Sequence, residues 1–190
     1  MDSTVIIDAL SRAIPGEASR YEAVSSRDEM PTIYVAADHL VETCQVLRDD
    51  PGLRFVLLLD VVGMDYLPRT PRFEVVYILA CPGASGFGAT PKRLRLKVRV
   101  GEEARVPSVS GVWPSANWAE RELFDLVGIV ADGHPDLRRI LMPEDWEGHP
   151  MRRDYPVQIK MPVKTYEPLQ LSEEEFVANL EAARNRSRQG

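Results

Sequence analysis

The sequence predicts an α+β fold of two layers, with helices on one face of a mixed, largely antiparallel sheet and an extended C-terminal tail. Segments with the 3.6-residue spacing of amphipathic helices alternate with segments rich in Val, Leu, Ile and aromatic residues. One strand-like segment switches strictly between apolar and basic side chains, which is typical of a strand with one solvent-facing side. We expect a domain over residues 1–156 and a docking tail over residues 157–190.

The first hundred residues supply most of the predicted elements. Helical spacing marks residues 4–14, and a second helix runs from Asp38, which can cap it, to a stop at Pro51-Gly52. Strand-like composition marks residues 20–25, 32–36, 54–64, 72–80 and 92–100. The last of these strands is predicted to have a basic outer face, formed by Arg93, Arg95, Lys97 and Arg99.

A third helix is predicted next, and Ser115 or Asn117 can cap it. Asn117 with Glu120 resembles a capping box. We expect Trp118 to follow the apolar face of this helix and Glu122 to fall at its edge. Beyond the helix the periodicity fades into turns, and after residue 156 the chain reads as extended until an amphipathic segment begins at residue 172.

Composition argues against several functional classes. The formal net charge of −6 and the pI near 5.2 argue against nucleic-acid binding and give no polybasic patch for anionic lipid. No segment reaches the roughly 18 apolar residues of a membrane span, and the N terminus is unlike a secretory signal. Cys44 and Cys81 are too few for a disulfide framework or for a cluster that this chain holds alone. A soluble, cytoplasmic chain is the expectation.

Two motifs look like binding sites but have simpler interpretations. The glycines of residues 83–88 lie between strands, so they lack the helix N terminus that binds phosphate, and we expect a hairpin loop. His134 and His149 could bind a metal ion with neighbouring acids. Both stand in Gly-His-Pro turns, however, and we expect each imidazole to donate a hydrogen bond to a backbone carbonyl.

Charge is concentrated in residues 120–156, which we call the ERE segment. Glu122 could be a buried carboxylate with a raised pKa that acts as an acid or a base. Arginines nearly match the acids in number, and Arg121 and Asp125 stand four residues apart as a possible pair. The segment therefore indicates either a protein–protein contact or an internal cluster that locks turns, with catalysis well behind.

The ERE segment resembles the signature of the C-subunit family of respiratory complex I, the NADH:quinone oxidoreductase. The matching motifs are Glu120-Arg121-Glu122, Asp125-Leu126-Val127, His134 and Arg138-Arg139-Ile140-Leu141. The flanks WPSANWAERE and GHPMRRDYP fit as well, and so do the upstream strands RFEVVYIL and LRLKVRV. The resemblance therefore covers nearly the whole chain.

The resemblance implies a non-catalytic structural and assembly subunit in the peripheral arm of a proton-translocating enzyme. FMN and iron–sulfur clusters would lie in partner subunits, with no cofactor or metal ion in this chain. The implied partners are the quinone-side subunits, mainly the D subunit of complex I, and neighbouring cluster-bearing subunits, at the cytoplasmic face of the bacterial cell membrane. Contact with the membrane would be only through the complex, and nucleic acid would play no part.

We expect one polar network to shape and present the docking surface. Its predicted members are Glu120, Arg121, Glu122, Asp125, His134, Arg138, Arg139, Arg152, Arg153 and Asp154. Replacing Arg138 by Ala is expected to prevent assembly, because a buried charge that loses its partner costs about 3–5 kcal/mol.

Two alternatives stay open at this point. An equivalent subunit of a membrane-bound hydrogenase, a plastoquinone reductase or an F420-type dehydrogenase would carry the same features. A free-standing hydrolase would instead use Glu122 and His134.

Overall fold

A five-stranded sheet with helices against one face organises the chain. The computed structural model describes residues 2–16, 20–83, 92–156 and 172–187, and the chain divides into two units, residues 1–155 and 156–190. The elements of the first unit are α1 (Ser3–Ala13), β1 (Tyr21–Val24), β2 (Thr32–Val35), α2 (Leu40–Asp49), β3 (Leu57–Asp65), β4 (Phe73–Cys81), β5 (Lys92–Val100), β6 (Arg105–Pro107), α3 (Ala116–Val127) and β7 (Val130–Asp132). The second unit contains α4 (Glu173–Ser187).

The strand order is β1-β2-β5-β4-β3, which places β1 and β3 at the two edges. The β2–β5 pair is parallel and the other three pairs are antiparallel, so the predicted mixed, largely antiparallel sheet is confirmed. β6 and β7 form a separate parallel pair that the sequence did not predict. Strands of three residues are too short to show the alternation that marks a strand.

Cross-strand register sorts the side chains of the sheet into two faces. Val61, Tyr77 and Leu96 are register partners across β3, β4 and β5, and all three are buried. Side chains from all three helices of the first unit join them in one hydrophobic core: Ile6, Leu10, Leu40, Cys44, Leu47, Leu123 and Val127. The helices therefore lie on one face, which we call the inner face, and the predicted two-layer fold is confirmed.

The opposite, outer face of β5 carries the predicted basic side chains. Three of them pair with acidic residues: Arg95 with Asp28 at 2.6 Å, Lys97 with Glu74 at 2.7 Å and Arg99 with Glu22 at 2.8 Å. The ring of Tyr34 lies beneath the Arg99 guanidinium, 3.8 Å from its carbon. The strict alternation of this strand thus predicted which side chains face away from the helices.

Glycine lets α3 approach the sheet closely at β3. A Cβ atom added to Gly63 would lie 2.5 Å from Cδ1 of Leu123 and 3.1 Å from Cγ2 of Val127. α3 ends at Gly128, whose φ of 77° is left-handed and whose N–H bonds to the carbonyls of Leu123 and Phe124. These two glycines set the position of α3 and the direction in which the ERE segment leaves it.

Several expectations about helix ends and faces are wrong. Asp38 lies in a short 3-10 turn before α2 and does not cap that helix. Ser115 is the N-cap residue of α3, as predicted, but its side chain makes no cap bond. Trp118 is 65% exposed rather than on the apolar face, because the buried stripe of α3 runs through Ala116 and Leu123. A residue two positions from a buried one on a helix points about 200° away.

The second unit is described only by α4, whose first turn carries three glutamates, a favourable charge at a helix N terminus. The predicted extended residues 157–171 lie outside the described residues, and so does most of the predicted glycine loop, residues 84–91. Within the described ranges, no helix combines the length and the apolar character needed to cross a bilayer.

Candidate functional site

Asp125 is the buried centre of the ERE segment. Its Oδ2 atom accepts hydrogen bonds from the backbone N–H groups of Ile140, Leu141 and Met142 at 3.0, 2.7 and 2.8 Å. Its Oδ1 atom accepts from Nη1 of Arg139 at 2.7 Å. One carboxylate of α3 therefore holds both a three-residue turn and a guanidinium group.

These hydrogen bonds determine the protonation state of Asp125. Burial by itself raises the pKa of the carboxyl group, but the backbone donors of the turn and the Arg139 guanidinium outweigh it. The pKa is lowered to about 2. The carboxylate is consequently charged at neutral pH, so it accepts hydrogen bonds and has no proton to give.

Arg139 extends the same cluster to the next turn of the chain. Its Nη2 atom donates to the backbone carbonyls of Trp146 and Gly148, both at 3.0 Å. Its side chain is 15% exposed, whereas that of Asp125 is fully buried. The guanidinium uses its fork of donors to connect a helix side chain with two loop carbonyls, so residues 139–148 are fixed against α3.

The two histidines of the Gly-His-Pro turns hold backbone groups, as predicted. His149 Nδ1 lies 3.0 Å from the carbonyl of Asp125, and burial lowers the pKa of the imidazole, so the ring is neutral and donates. His134 Nε2 lies 3.0 Å from the carbonyl of Asn117, while its Nδ1 accepts from the N–H of Asp136 at 3.0 Å. Because a backbone N–H group can only donate, Nδ1 of His134 is the acceptor, and the proton of the ring is on Nε2.

Glu120 forms a second cluster, on the inner side of α3. It is 1% exposed, and its carboxylate accepts from the N–H of Val109 at 2.7 Å and from the hydroxyl of Ser108 at 2.6 Å. Burial raises the pKa of Glu120, against the effect of both hydrogen bonds. The predicted capping box is wrong, because the carboxylate points to this loop instead of to the start of its own helix.

Glu122 is not the buried acid or base that its place at the edge of the apolar face allowed. Its side chain is exposed, two positions away from buried Glu120, and it makes no hydrogen bond or ion pair with the residues that the structure describes. The hydrolase alternative needed Glu122 beside His134. Both ring nitrogens of His134 are engaged by backbone groups, so the alternative has lost both of its candidate residues.

Arg121 bonds to the loop rather than to Asp125, which corrects the predicted pairing along the helix. Its guanidinium donates to the backbone carbonyls of Arg138 at 3.1 Å and Arg139 at 3.3 Å. The same group lies 5.0 Å from the centre of the Trp118 ring. Arg121 therefore connects the loop to an exposed aromatic side chain on the surface of α3.

Neighbouring arginines have different environments in this segment. The Arg138 side chain is 69% exposed and pairs with Asp136 at 2.6 Å, and the two charges face water. The expectation that Arg138 is one side of a buried pair is therefore wrong, and the buried role belongs to Arg139. The loop that returns to α3 turns the second arginine inward and leaves the first outside.

Arg152 caps the C-terminal end of α3. Its Nε atom donates to the carbonyl of Val127 at 2.6 Å, and its Nη2 atom donates to that of Gly128 at 3.2 Å. The last carbonyls of a helix have no partner within the helix, and a cation is favourable there. A Cβ atom at Gly128 would lie 2.5 Å from Arg152 Nη2, so the glycine also makes room for the cap.

Arg72 and Asp65 form a third cluster, which sequence reasoning missed. Two hydrogen bonds of 3.0 and 2.7 Å join them, and both side chains are nearly buried. Asp154 lies 2.8 Å from Arg72, and Arg153 donates its N–H to Asp65 at 2.9 Å and its guanidinium to the carbonyl of Leu67. The Arg72 guanidinium holds the pKa of Asp65 well below its usual range. The signal in the sequence was Arg72, a charged residue directly before the strongly apolar strand β4.

The predicted site residues thus fall into several clusters rather than one network. All of them except Glu122 make polar contacts, and most of these contacts reach backbone groups of turns. Within the described ranges, no group of three or more His, Cys, Asp and Glu side chains is placed to hold a metal ion. The clusters fix loops in place, and three large side chains stay exposed around them: Trp118, Leu141 and Met151.

The fold and these clusters define an α+β domain whose polar segment is hydrogen-bonded to its third helix. A sequence family described as respiratory-chain NADH dehydrogenase, 30 Kd subunit, matches residues 33–160. The chain belongs to this family, as its signature motif predicts.

Individual relatives agree with this assignment. The C subunit of the NADH-quinone oxidoreductase of Roseiflexus sp. (strain RS-1) is 45% identical over 158 residues, which cover 83% of this chain and 86% of the relative. The protein of the same name from Salinispora arenicola (strain CNS-205) is 46% identical over 156 residues, covering 80% of this chain and 60% of the relative.

Two solved structures are similar in fold. The trypsin-resistant fragment (1-134) of Nqo5 is 36% identical, with a TM-score of 0.53, and the match covers 63% of this chain and 92% of the fragment. A chain of the membrane-bound sulfane sulfur reductase, an archaeal respiratory membrane complex, gives a TM-score of 0.64 at 21% identity, covering 81% of this chain and 85% of that one. At such low identity the second likeness shows the fold alone.

Proposed function

We propose that this chain is a structural and assembly subunit in the peripheral arm of a proton-translocating NADH:quinone oxidoreductase. It binds the quinone-side subunits, mainly the D subunit, at the cytoplasmic face of the membrane. The observation that carries the proposal is the Asp125–Arg139 cluster, whose charged side chains form hydrogen bonds with the backbone of turns. The names of the relatives support the choice of complex.

Exposed side chains around the clusters provide the docking surface. Trp118 and Met151 are each 65% exposed and Leu141 is 55% exposed. The clusters hold each of them: Arg121 lies against the Trp118 ring, the N–H of Leu141 bonds to Asp125, and the N–H of Met151 bonds to a carbonyl of α3. Aromatic, methionine and arginine side chains are enriched in protein interfaces, and rigid presentation lowers the entropy lost on binding.

Electron transfer is assigned to partner subunits that hold the FMN and the iron–sulfur clusters. Cys44 and Cys81 are both buried and unpaired. Burial raises the pKa of the Cys44 thiol, which keeps it protonated, and a protonated thiol is a poor ligand for iron. The chain would thus support the redox subunits while making no direct contribution to the reaction.

Replacement of two exposed residues tests the docking surface while leaving the hydrogen bonds and ion pairs of the clusters in place. In the complex purified from native membranes, the double variant Trp118→Ala, Met151→Ala is expected to co-purify about tenfold less than wild type, because aromatic anchors dominate interface energies. Val5→Ala is the matched control, since Val5 is 50% exposed on α1, outside the ERE segment. Normal assembly of the double variant with lost turnover would contradict the proposal and indicate chemistry in this chain.

A further inference from the structure

Glu122 takes no part in the internal clusters of the ERE segment, although acidic residues on both sides of it do. Glu120 accepts hydrogen bonds from the loop before α3, and Asp125 bonds to Arg139. Glu122 is exposed on the same helix and makes no hydrogen bond or ion pair with the residues that the structure describes. The clusters therefore account for its two acidic neighbours but not for Glu122.

The ERE segment offers Glu122 no counter-charge of its own. It contains no lysine and five arginines, each of which donates a hydrogen bond to a backbone carbonyl or a carboxylate of this chain: Arg121, Arg138, Arg139, Arg152 and Arg153. Arg121, the neighbour of Glu122 in sequence, is directed at the carbonyls of Arg138 and Arg139. A cation for the Glu122 carboxylate therefore has to come from outside the segment.

Trp118 lies next to Glu122 on the exposed side of α3. Residues four apart on a helix are neighbours, with about 5–6 Å between their Cβ atoms. Trp118 is 65% exposed, although the Arg121 guanidinium lies 5.0 Å from the centre of its ring. Most of the Trp118 surface is therefore free to contact another molecule, and we call these two exposed side chains the Trp118–Glu122 pair.

A partner that covers Trp118 also covers Glu122, because the two side chains are adjacent. Trp118 belongs to the docking surface proposed above, so binding of the partner removes the Glu122 carboxylate from water. A carboxylate without a cation is strongly unfavourable out of water, whereas one that gains a cation and hydrogen bonds is compensated. The partner surface opposite the Trp118–Glu122 pair therefore needs a positively charged side chain.

Arginine is the cation that fits both members of the pair. An indole ring attracts a cation, and the planar guanidinium group stacks on aromatic rings and bonds to a carboxylate through two N–H groups. We propose that the Trp118–Glu122 pair binds an arginine side chain of a partner subunit, with the guanidinium against the indole and bonded to the carboxylate. The inference rests on the proposed function, because it requires a multisubunit complex. A second copy of this chain fits less well, since the arginines of its own ERE segment are already engaged.

Charge variants in the complex purified from native membranes test the role of Glu122. Glu122→Gln is expected to lower co-purification about tenfold, because it leaves the partner's guanidinium without its carboxylate. Glu122→Asp keeps the charge and is expected to lose less. Asp8→Asn is the matched control, since Asp8 is an exposed acid on α1, outside the ERE segment. Glu122→Gln should also leave the melting temperature of the full chain unchanged, and a clear fall would indicate an internal role and overturn the proposal.

Photo-crosslinking identifies the partner side chain. A photoreactive aromatic amino acid replaces Trp118 in the assembled complex, and mass spectrometry is expected to find an arginine-containing peptide of another subunit. Exchange of that arginine for glutamate, combined with Glu122→Arg, is expected to restore the association that each single change loses. A product within this chain or with a second copy, a peptide without arginine, no product, or no restoration would overturn the proposal.

The two proposals of this article fail in different ways. Wild-type association of Glu122→Gln, together with the loss expected for the Trp118→Ala, Met151→Ala double variant, would overturn the arginine contact alone. Failure of the wild-type chain to co-purify with the complex would overturn the proposed function as well.

Discussion

At the scale of single residues, charged side chains hold a part of the chain that forms no helix or strand. Asp125 accepts hydrogen bonds from three backbone N–H groups and from the Arg139 guanidinium. Arg139 in turn donates to two backbone carbonyls. A stretch without a helix or strand of its own is thereby hydrogen-bonded to α3. The energetic consequence is that each partner is needed: removing one leaves the others buried without compensation.

Arg139→Ala is expected to lower the free energy of unfolding by about 3–5 kcal/mol, because it leaves the buried Asp125 carboxylate without its cation. Arg138→Ala is the matched control, since its side chain is exposed and its pair faces water. Urea unfolding of the two variants at pH 7 checks the difference. Equal destabilisation by both would contradict the assignment of the buried role to Arg139.

Asp125 also predicts a pH dependence of stability. Its pKa is about 2 in the folded chain and about 3.9 in an unfolded one, so its contribution is present above about pH 4 and lost as the pH falls toward 2. The loss is about 2 kcal/mol between pH 5 and pH 2. Urea unfolding over this range should show a smaller decrease for Asp125→Asn than for wild type, and parallel decreases would count against it.

At the scale of elements, the contact between α3 and β3 positions everything that follows it. Gly63 lets the helix lie close to the strand, and residues 138–152 then bond to this helix. The sheet thus determines the position of the ERE segment indirectly, through the distance between α3 and β3. A change in this contact displaces α3 as a unit and carries the clusters with it.

Gly63→Ala is expected to destabilise the chain by about 1–3 kcal/mol, the usual cost of overpacking a filled core. The added Cβ would meet Leu123 and Val127. Gly101→Ala is the control, because a Cβ at Gly101 meets nothing within 4 Å. Thermal unfolding of both variants measures the contrast, and an equal effect would show that α3 does not depend on close approach at Gly63.

At the scale of the whole molecule, the two units bury their apolar side chains to different extents. Residues 1–155 contain the sheet and the helices that bury its inner face, so this unit has its own core. The second unit contributes α4, on which Phe176, Val177 and Leu180 are 56%, 47% and 51% exposed. A helix with apolar side chains in water is expected to gain its stability from a partner. We propose that the second unit docks on a partner subunit in the assembled complex.

Deleting residues 165–190 is expected to weaken association with the complex and to leave the melting temperature of the isolated chain nearly unchanged. The reason is that the first unit has a hydrophobic core of its own. Co-purification and thermal unfolding measure the two effects separately. A large fall in melting temperature would mean that the deleted segment stabilises its own chain.

Much of the fold follows from local patterns in the sequence. Alternation in β5 predicted its two faces, and Gly-His-Pro predicted turns whose imidazoles bond to carbonyls. The signature motif predicted the family, because its residues are recognisable without knowledge of their contacts. Each of these conclusions depends on residues close together in the chain.

Only the tertiary structure shows which charged residues pair with each other. The sequence placed Arg121 and Asp125 on one helix, yet Asp125 bonds to Arg139 and Arg121 bonds to the loop. The pairing of Arg72 with Asp65 and Asp154 likewise joins residues from separate parts of the chain. The physical reason is that the chain reverses after Gly128 and returns residues 138–142 to α3. Spacing along the sequence records helix faces and strand alternation, but the path of that return depends on how α3 packs against the sheet.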